Sequence, residues 1–420
     1  MTNNKVITLL GCVFFFLLVV FPAEHMSWKL PFVILFVVIA LVKVVVVNRQ
    51  PIYRPLLVVL FAIIAKGIIW TAIGIFNGNR GVIAVLNINL TWYFLFSLFM
   101  ILIDNIRMYK RLLTTLLFAS TFIVVFDLIY IFMALGFIPY FDTSFLYSPS
   151  EFNFSIYSGA GFSYLSANNI TVLVFVYPFT LSLLFTPNSI GSNKLRIFVL
   201  VICLLQIVLA IFSGRRILFL TVLLSPFYIY FFAIFTKKAK RRAFFDRSVQ
   251  YFLVLSFMFV ILLKFLLSSL DFSLTTLSER LFSAFDSDKE SIRFVQSEML
   301  FAEFAKSPLI GHGAGAEILN YKRSSKWPWA FEMSYYDDLF KSGLLGFSIF
   351  LFFALGIFRS GIRLVRKHND SLMIGLLSGF LSILIANATN PFLSSFDCFW
   401  MIFLPMIYIN IKEITKSSNE

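Results

Sequence analysis

The apolar residues of this chain come in long blocks, near 6–22, 31–47, 56–76, 83–103, 112–136, 166–185, 197–212, 217–235, 248–270, 341–358, 370–388 and 397–411. Each block approaches the roughly 20 residues that a helix needs to cross the hydrocarbon layer of a bilayer. In lipid every backbone N–H and C=O must be bonded internally, so segments of this kind are helices. The period-two alternation of an outer-membrane barrel is absent. The expectation is an all-α polytopic membrane protein of about twelve spans, given that span length. It would form a single integral membrane domain over residues 1–420. Composition closes off the soluble alternative: 60% of the residues are hydrophobic and 13% charged, against about 45–50% and 25% in soluble domains.

Orientation follows from the basic residues of the short loops. One set holds Arg49 and Arg54; Arg107, Lys110 and Arg111; Lys194 and Arg196; Lys237, Lys238, Lys240, Arg241, Arg242 and Arg247; and Arg359, Arg363, Arg366 and Lys367. These are every second loop, and both termini fall on their side. The excess of Lys and Arg on cytoplasmic loops therefore puts the N and C termini in the cytoplasm. The opposite short loops carry only Lys29, Arg80 and the pair Arg215–Arg216. The same distribution explains the net charge of +14 without a nucleic-acid partner. Lys5 followed by an apolar run to Phe21 resembles a signal peptide, but the run is long and reads as an uncleaved first helix. Cys12, Cys203 and Cys398 all lie within apolar blocks, which gives neither a disulfide framework nor a metal-ligand spacing.

Two outward segments are longer than a turn. Residues 137–165 carry no Lys or Arg and are rich in Tyr, Phe, Ser and Gly. Residues 271–340 are the largest polar stretch, a candidate catalytic loop on the periplasmic side. Within it, Ser291 to Ala305 has apolar residues at helical spacing and reads as an amphipathic helix lying on the membrane or on the core.

Some residues are of types that carry chemistry. Arg215 and Arg216, in FSGRRILF, open a helix at an outward turn, where free N–H groups and the positive dipole end also point. The planar arginine fork suits phosphate oxygens, so the pair is either a diphosphate site or a snorkelling helix anchor. Glu332 stands among Trp329, Phe331 and Tyr335, where partial loss of water favours a general base. Asp337 and Asp338 compete for that role, yet acidic residues at a helix start are usual for dipole reasons. Arg293 and Arg280 could add positive charge for an anionic ligand. His312, between two glycines, has no second metal ligand in sight. Lys66 lies about 15 Å along its span by helical rise, and Asp127 and Lys264 about 24 Å along theirs. Intramembrane charges usually pair, so Asp127 and Lys264 suggest a salt bridge, while Lys66 keeps a transport reading open.

In this arrangement the chain resembles the O-antigen polymerase and O-antigen ligase superfamily of bacterial inner membranes. The likeness covers the topology, the arginine turn FSGRR, the run from Arg293 through KSPLIGHGAGA, and the looser GAGFSYLSANN, which lacks the family's proline. Its most informative element is E-M-x9-G-L-L-G, from Glu332 to Gly343 and Gly346. Ligases that join O-antigen to lipid A core begin this frame with histidine; Glu332 in its place favours a polymerase. The resemblance implies a GT-C-like membrane glycosyltransferase that needs no metal or other cofactor. It would join oligosaccharide repeat units carried on undecaprenyl diphosphate by an inverting reaction at the periplasmic face. Glu332 would be the base, and Arg215, Arg216 and Arg293 would hold the diphosphate. His312, Tyr335, Tyr336, Asn168, Asn169 and Arg280 are candidate substrate contacts. Trp327, Trp329 and the two tyrosines could stack on sugar rings, although interfacial aromatic belts explain such residues equally well. The partners implied are the lipid-linked donor and acceptor, membrane lipids and a chain-length regulator protein. A ligase-type transferase or a lipid-linked oligosaccharide flippase is the alternative.

Overall fold

The computed structural model describes residues 3–22, 25–47, 52–134, 136–139, 155–159, 162–186, 193–213, 215–237, short stretches between 241 and 261, and 292–417. The fold is helical. Among the described residues, seven helices are long and apolar enough to cross a membrane, spanning Met26–Val45, Arg54–Phe76, Val82–Leu102, Ile106–Met133, Asn193–Phe212, Arg216–Ala233 and Ser334–His368. Three shorter apolar helices cover Lys5–Val20, Asn169–Phe185 and Ser371–Asn387. This is the make-up of a multi-pass membrane protein. A further helix, Trp400–Ser417, is apolar as far as Ile411. The expected span 248–270, Lys264, Arg280 and most of the expected catalytic loop before Ile292 lie outside the described residues.

We number the helices α1 (Asn3–Val20), α2 (Met26–Val47), α3 (Arg54–Phe76), α4 (Val82–Leu86), α5 (Trp92–Leu102), α6 (Ile106–Ala134), α7 (Leu173–Phe185), α8 (Asn193–Phe212) and α9 (Arg216–Ala233). The late helices are α10 (Ile292–Lys306), α11 (Ser334–His368), α12 (Ser371–Asn387) and α13 (Trp400–Ser417). Sequence periodicity missed one element in the smaller loop: a hairpin of β1 (Ser155–Gly159) and β2 (Phe162–Ser166), antiparallel with Tyr157 opposite Tyr164.

The chain divides into two compact units. The first comprises Met1–Lys29, Lys110–Asp286 and Ile362–Ile383. Its centre is α7, buried along all thirteen residues and packed against α8 and α9. A helix that is apolar all round must be enclosed on every side. The second unit comprises Leu30–Tyr109, Ser287–Gly361 and Leu384–Glu420. Here α5 packs on α13 through interlocking rings, Tyr93 and Phe96 against Phe399 and Phe96 against Phe403, at centroid separations of 4.8 to 5.7 Å. Such aromatic pairs each add about 0.5–1.5 kcal/mol beyond the area they bury.

Two irregularities shape the second unit. Between α4 and α5 the span continues as a π-helix, Asn87–Thr91. A Cβ on Gly67 of α3 would sit 2.1 Å from the carbonyl oxygen of Asn89, so the two backbones meet at a residue that must lack a side chain. The second irregularity is Gly343, whose φ of 60° and ψ of −172° break α11 into a short leading helix and a long membrane helix. At such a φ a non-glycine residue is strained.

Candidate functional site

The sequence sets Glu332 among Trp329, Phe331 and Tyr335; the structure gives it a double ion pair. Arg293 Nε lies 2.8 Å from Glu332 Oε2, and Arg323 Nη2 lies 2.5 Å from Oε1. Arg293 also donates to Asn390 Oδ1 at 3.3 Å. Arg293 comes from α10, and Arg323 and Glu332 from the loop before α11, Glu332 two residues ahead of the helix start, all within the second unit. Glu332 is held from behind: its backbone N–H and that of Met333 both donate to Oε1 of the buried Gln296, at 2.8 and 3.0 Å. The arginines remain open to the outside, with the Arg293 side chain 48% exposed and Glu332 22%. Arg323 drew no notice in the sequence, because nothing in its spacing ties it to Glu332.

Helix α10 carries this arrangement. It forms where expected, shifted by one residue at each end. Its Leu300 enters a small core with Ala316, Ile318, Phe331 and Phe340, while Phe294, Met299 and Phe301 stay exposed. Thus one face lies on the core and another is left apolar outward, the pattern of an interfacial helix.

The glycine-rich segment of the resemblance is a clamp around the break in α11. Gly313 N–H donates to Lys341 O, His312 N–H to Phe340 O, Leu344 N–H to Pro308 O and Leu345 N–H to Leu309 O. These bonds take up backbone groups that a helix break would otherwise orphan. On its other side the segment bonds α3: Ala314 N–H donates to Trp70 O, and Asn79 Nδ2 to the carbonyls of His312 and Ala314. The side chain of His312 is engaged as well, a ring nitrogen 2.9 Å from Glu303 O and the ring against Phe340. His312 is half-buried and helps to fix this segment against α10.

Just inside the break lies a cavity of about 150 Å³, wholly within the second unit. Lys66 Nζ reaches both carboxylate oxygens of Asp338 at 2.7 Å. Ser342 Oγ donates to Asp338 Oδ1 at 2.9 Å. Lys341, one turn after Asp337, pairs with it at 2.6 Å and donates to Trp329 O. Asp337 and Asp338 do lie in the opening turns of α11, as expected for dipole reasons, but each also neutralises a lysine. The intramembrane Lys66 thus has a partner 272 residues away. Tyr335 lines the same cavity and donates its hydroxyl to Leu384 O at 2.5 Å. Tyr336 is exposed.

The first unit holds the other candidates. Arg215 caps the start of α9 and donates to Ala167 O at 2.9 Å, tying the arginine turn to the end of the hairpin, while Arg216 is exposed. Asn168 precedes a 3-10 turn and accepts the hydroxyl of Thr171; Asn169 is buried and donates to Asp127 Oδ1 at 3.0 Å. Asp127, expected beside Lys264, therefore has an amide partner from the start of α7's turn. Trp327 and Trp329 meet edge to face. Compared with protein-family models and with curated proteins, the chain matches none.

Proposed function

We propose that the chain is a membrane glycosyltransferase, a polysaccharide polymerase that lengthens a glycan carried on undecaprenyl diphosphate, working at the outer face of a bacterial cytoplasmic membrane. The observation that carries this reading is the carboxylate of Glu332 held between the half-open guanidiniums of Arg293 and Arg323 at the head of a membrane helix. An acid flanked by two arginines offers what transfer from a diphosphate requires. The arginines receive the diphosphate oxygens through paired, charge-assisted bonds and stabilise charge as it leaves. Their move onto the diphosphate frees Glu332, which takes the proton of the acceptor hydroxyl. That oxygen attacks the anomeric carbon from the face opposite the diphosphate, forming the new glycosidic bond as the old C–O bond breaks. The resemblance adds Arg215 and Arg216 as further candidates for a phosphate contact.

The transport alternative rests on Lys66, which is paired with Asp338. The test is complementation of a strain lacking the gene. Glu332→Gln, Arg293→Ala and Arg323→Ala should each insert normally yet leave single repeat units on a polysaccharide gel. Normal ladders from Glu332→Gln would overturn the mechanism. Units trapped on the cytoplasmic face of the deletion strain would instead favour a flippase, and loss of attachment to lipid A core with normal chain length would favour a ligase.

A further inference from the structure

The cavity between α3, the π-helical segment and the head of α11 is separate from the Glu332 cluster, and its chemistry points to a ligand of one kind. Its charged side chains are two lysines and two aspartates, each cation already within 2.7 Å of a carboxylate. No charge is left over for an anion or a cation. The walls also present broad aromatic surface, from Trp70 and Tyr335 among others. One polar group facing this space, Ser334 Oγ, is buried without a partner among the described residues, and the half-buried side-chain amide of Asn89 lines the same space. Buried polar atoms in native proteins nearly always find a partner. A buried hydroxyl left open, with an amide lining the same space beside aromatic faces, offers donors and acceptors to a ligand.

Size narrows the choice. A cavity of this volume, when apolar, takes a single benzene ring. The backbone agrees, since π-helical segments gather at functional sites, and irregular backbone within a membrane span is tolerated where it lines a cavity. The π-segment is what turns Asn89 toward α3 and brings its carbonyl against Gly67.

We propose that this cavity receives one uncharged, polyhydroxylated six-membered ring, a neutral sugar residue of the glycan, and so selects what the polymerase joins. Hydroxyls would pair with Asn89, Ser334 and the outward lone pairs of Asp337 and Asp338, and the C–H face would rest on the aromatic wall. This rests on the glycosyltransferase reading above, but it concerns different residues.

Saturation-transfer NMR on the full chain in nanodiscs tests it, with methyl α-glucoside, galactoside, mannoside and N-acetylglucosaminide as neutral probes and methyl glucuronide and glucosamine as charged ones. At least one neutral probe should receive saturation and the charged ones should not. Asn89→Ala should weaken that binding about tenfold, the loss of one hydrogen bond. Ser334→Ala, a milder change at the opposite wall, should weaken it severalfold and covers the case of a misfolded Asn89 variant. Glu332→Gln should leave it unchanged. Silence from every neutral probe, preference for a charged one, or binding indifferent to both Asn89→Ala and Ser334→Ala would overturn the proposal. Binding that behaves as expected while Glu332→Gln still polymerises would instead sink the mechanism and leave the sugar site standing.

Discussion

Replacing Lys66 by methionine removes one charge of a pair and leaves the other in place. The Lys66 and Asp338 side chains are 13% and 25% exposed. With the nitrogen 2.7 Å from both oxygens, the gross attraction is about 6 kcal/mol at an effective dielectric constant of about 20. Desolvating both groups consumes much of that. Exposed pairs are worth about 0–1 kcal/mol, and breaking a fully buried pair costs about 3–5 kcal/mol. The modest exposure places this pair nearer the buried end, so Lys66→Met should cost about 3 kcal/mol. Asp338→Leu should cost a similar amount, about 3 kcal/mol, because it strands the ammonium. The double variant removes both charges and strands neither, so it should lose no more than either single change, a coupling of at least about 3 kcal/mol. Equilibrium unfolding in mixed micelles, followed by circular dichroism, gives all four values. A double variant whose loss equals the sum of the single losses, within about 0.5 kcal/mol, would refute the pairing argument.

Gly343→Ala places a Cβ 2.4 Å from the backbone of Leu309 at a φ of 60°; it should destabilise by about 3 kcal/mol, strain plus clash, read as a lower melting temperature in detergent. Gln296→Leu strips the acceptor from two N–H groups and should cost about 2 kcal/mol, whereas Gln296→Glu keeps the acceptor oxygen. Limited proteolysis before Glu332 should therefore quicken in the leucine variant alone.

The helices were legible because lipid imposes one rule on every span. Blocks at 56–76, 197–212 and 217–235 became Arg54–Phe76, Asn193–Phe212 and Arg216–Ala233, and Ser291–Ala305 became Ile292–Lys306. The π-segment was not legible, since NINLT sits inside an apolar block and hydropathy does not register how a helix is wound. The hairpin was hidden in a loop whose serine, glycine and tyrosine content has no clear period. At the site, Glu332 and Arg293 were singled out by type and surroundings, and the structure brings them together. Arg323 and the Lys66–Asp338 pair were missed for one reason. Each partnership is made across the fold, and helical spacing reports only neighbours within a turn or two. Asp338 was set aside as a helix-start residue; its position was read correctly and its partner was not.

The glycine clamp also sets an order of assembly. Its anchors on α3 and the following turn, Trp70 and Asn79, are made early in synthesis, and the clamp residues near Gly313 follow more than two hundred positions later. Its remaining partners, Phe340 to Leu345, are made last. A nascent chain stopped before Phe340 holds Glu332 and both its arginines but lacks the surface that closes the loop. The polar cluster and the cavity therefore complete late in synthesis, since beyond the head of α11 they also draw on Asn390 and on Asn387, Leu393 and Ser394.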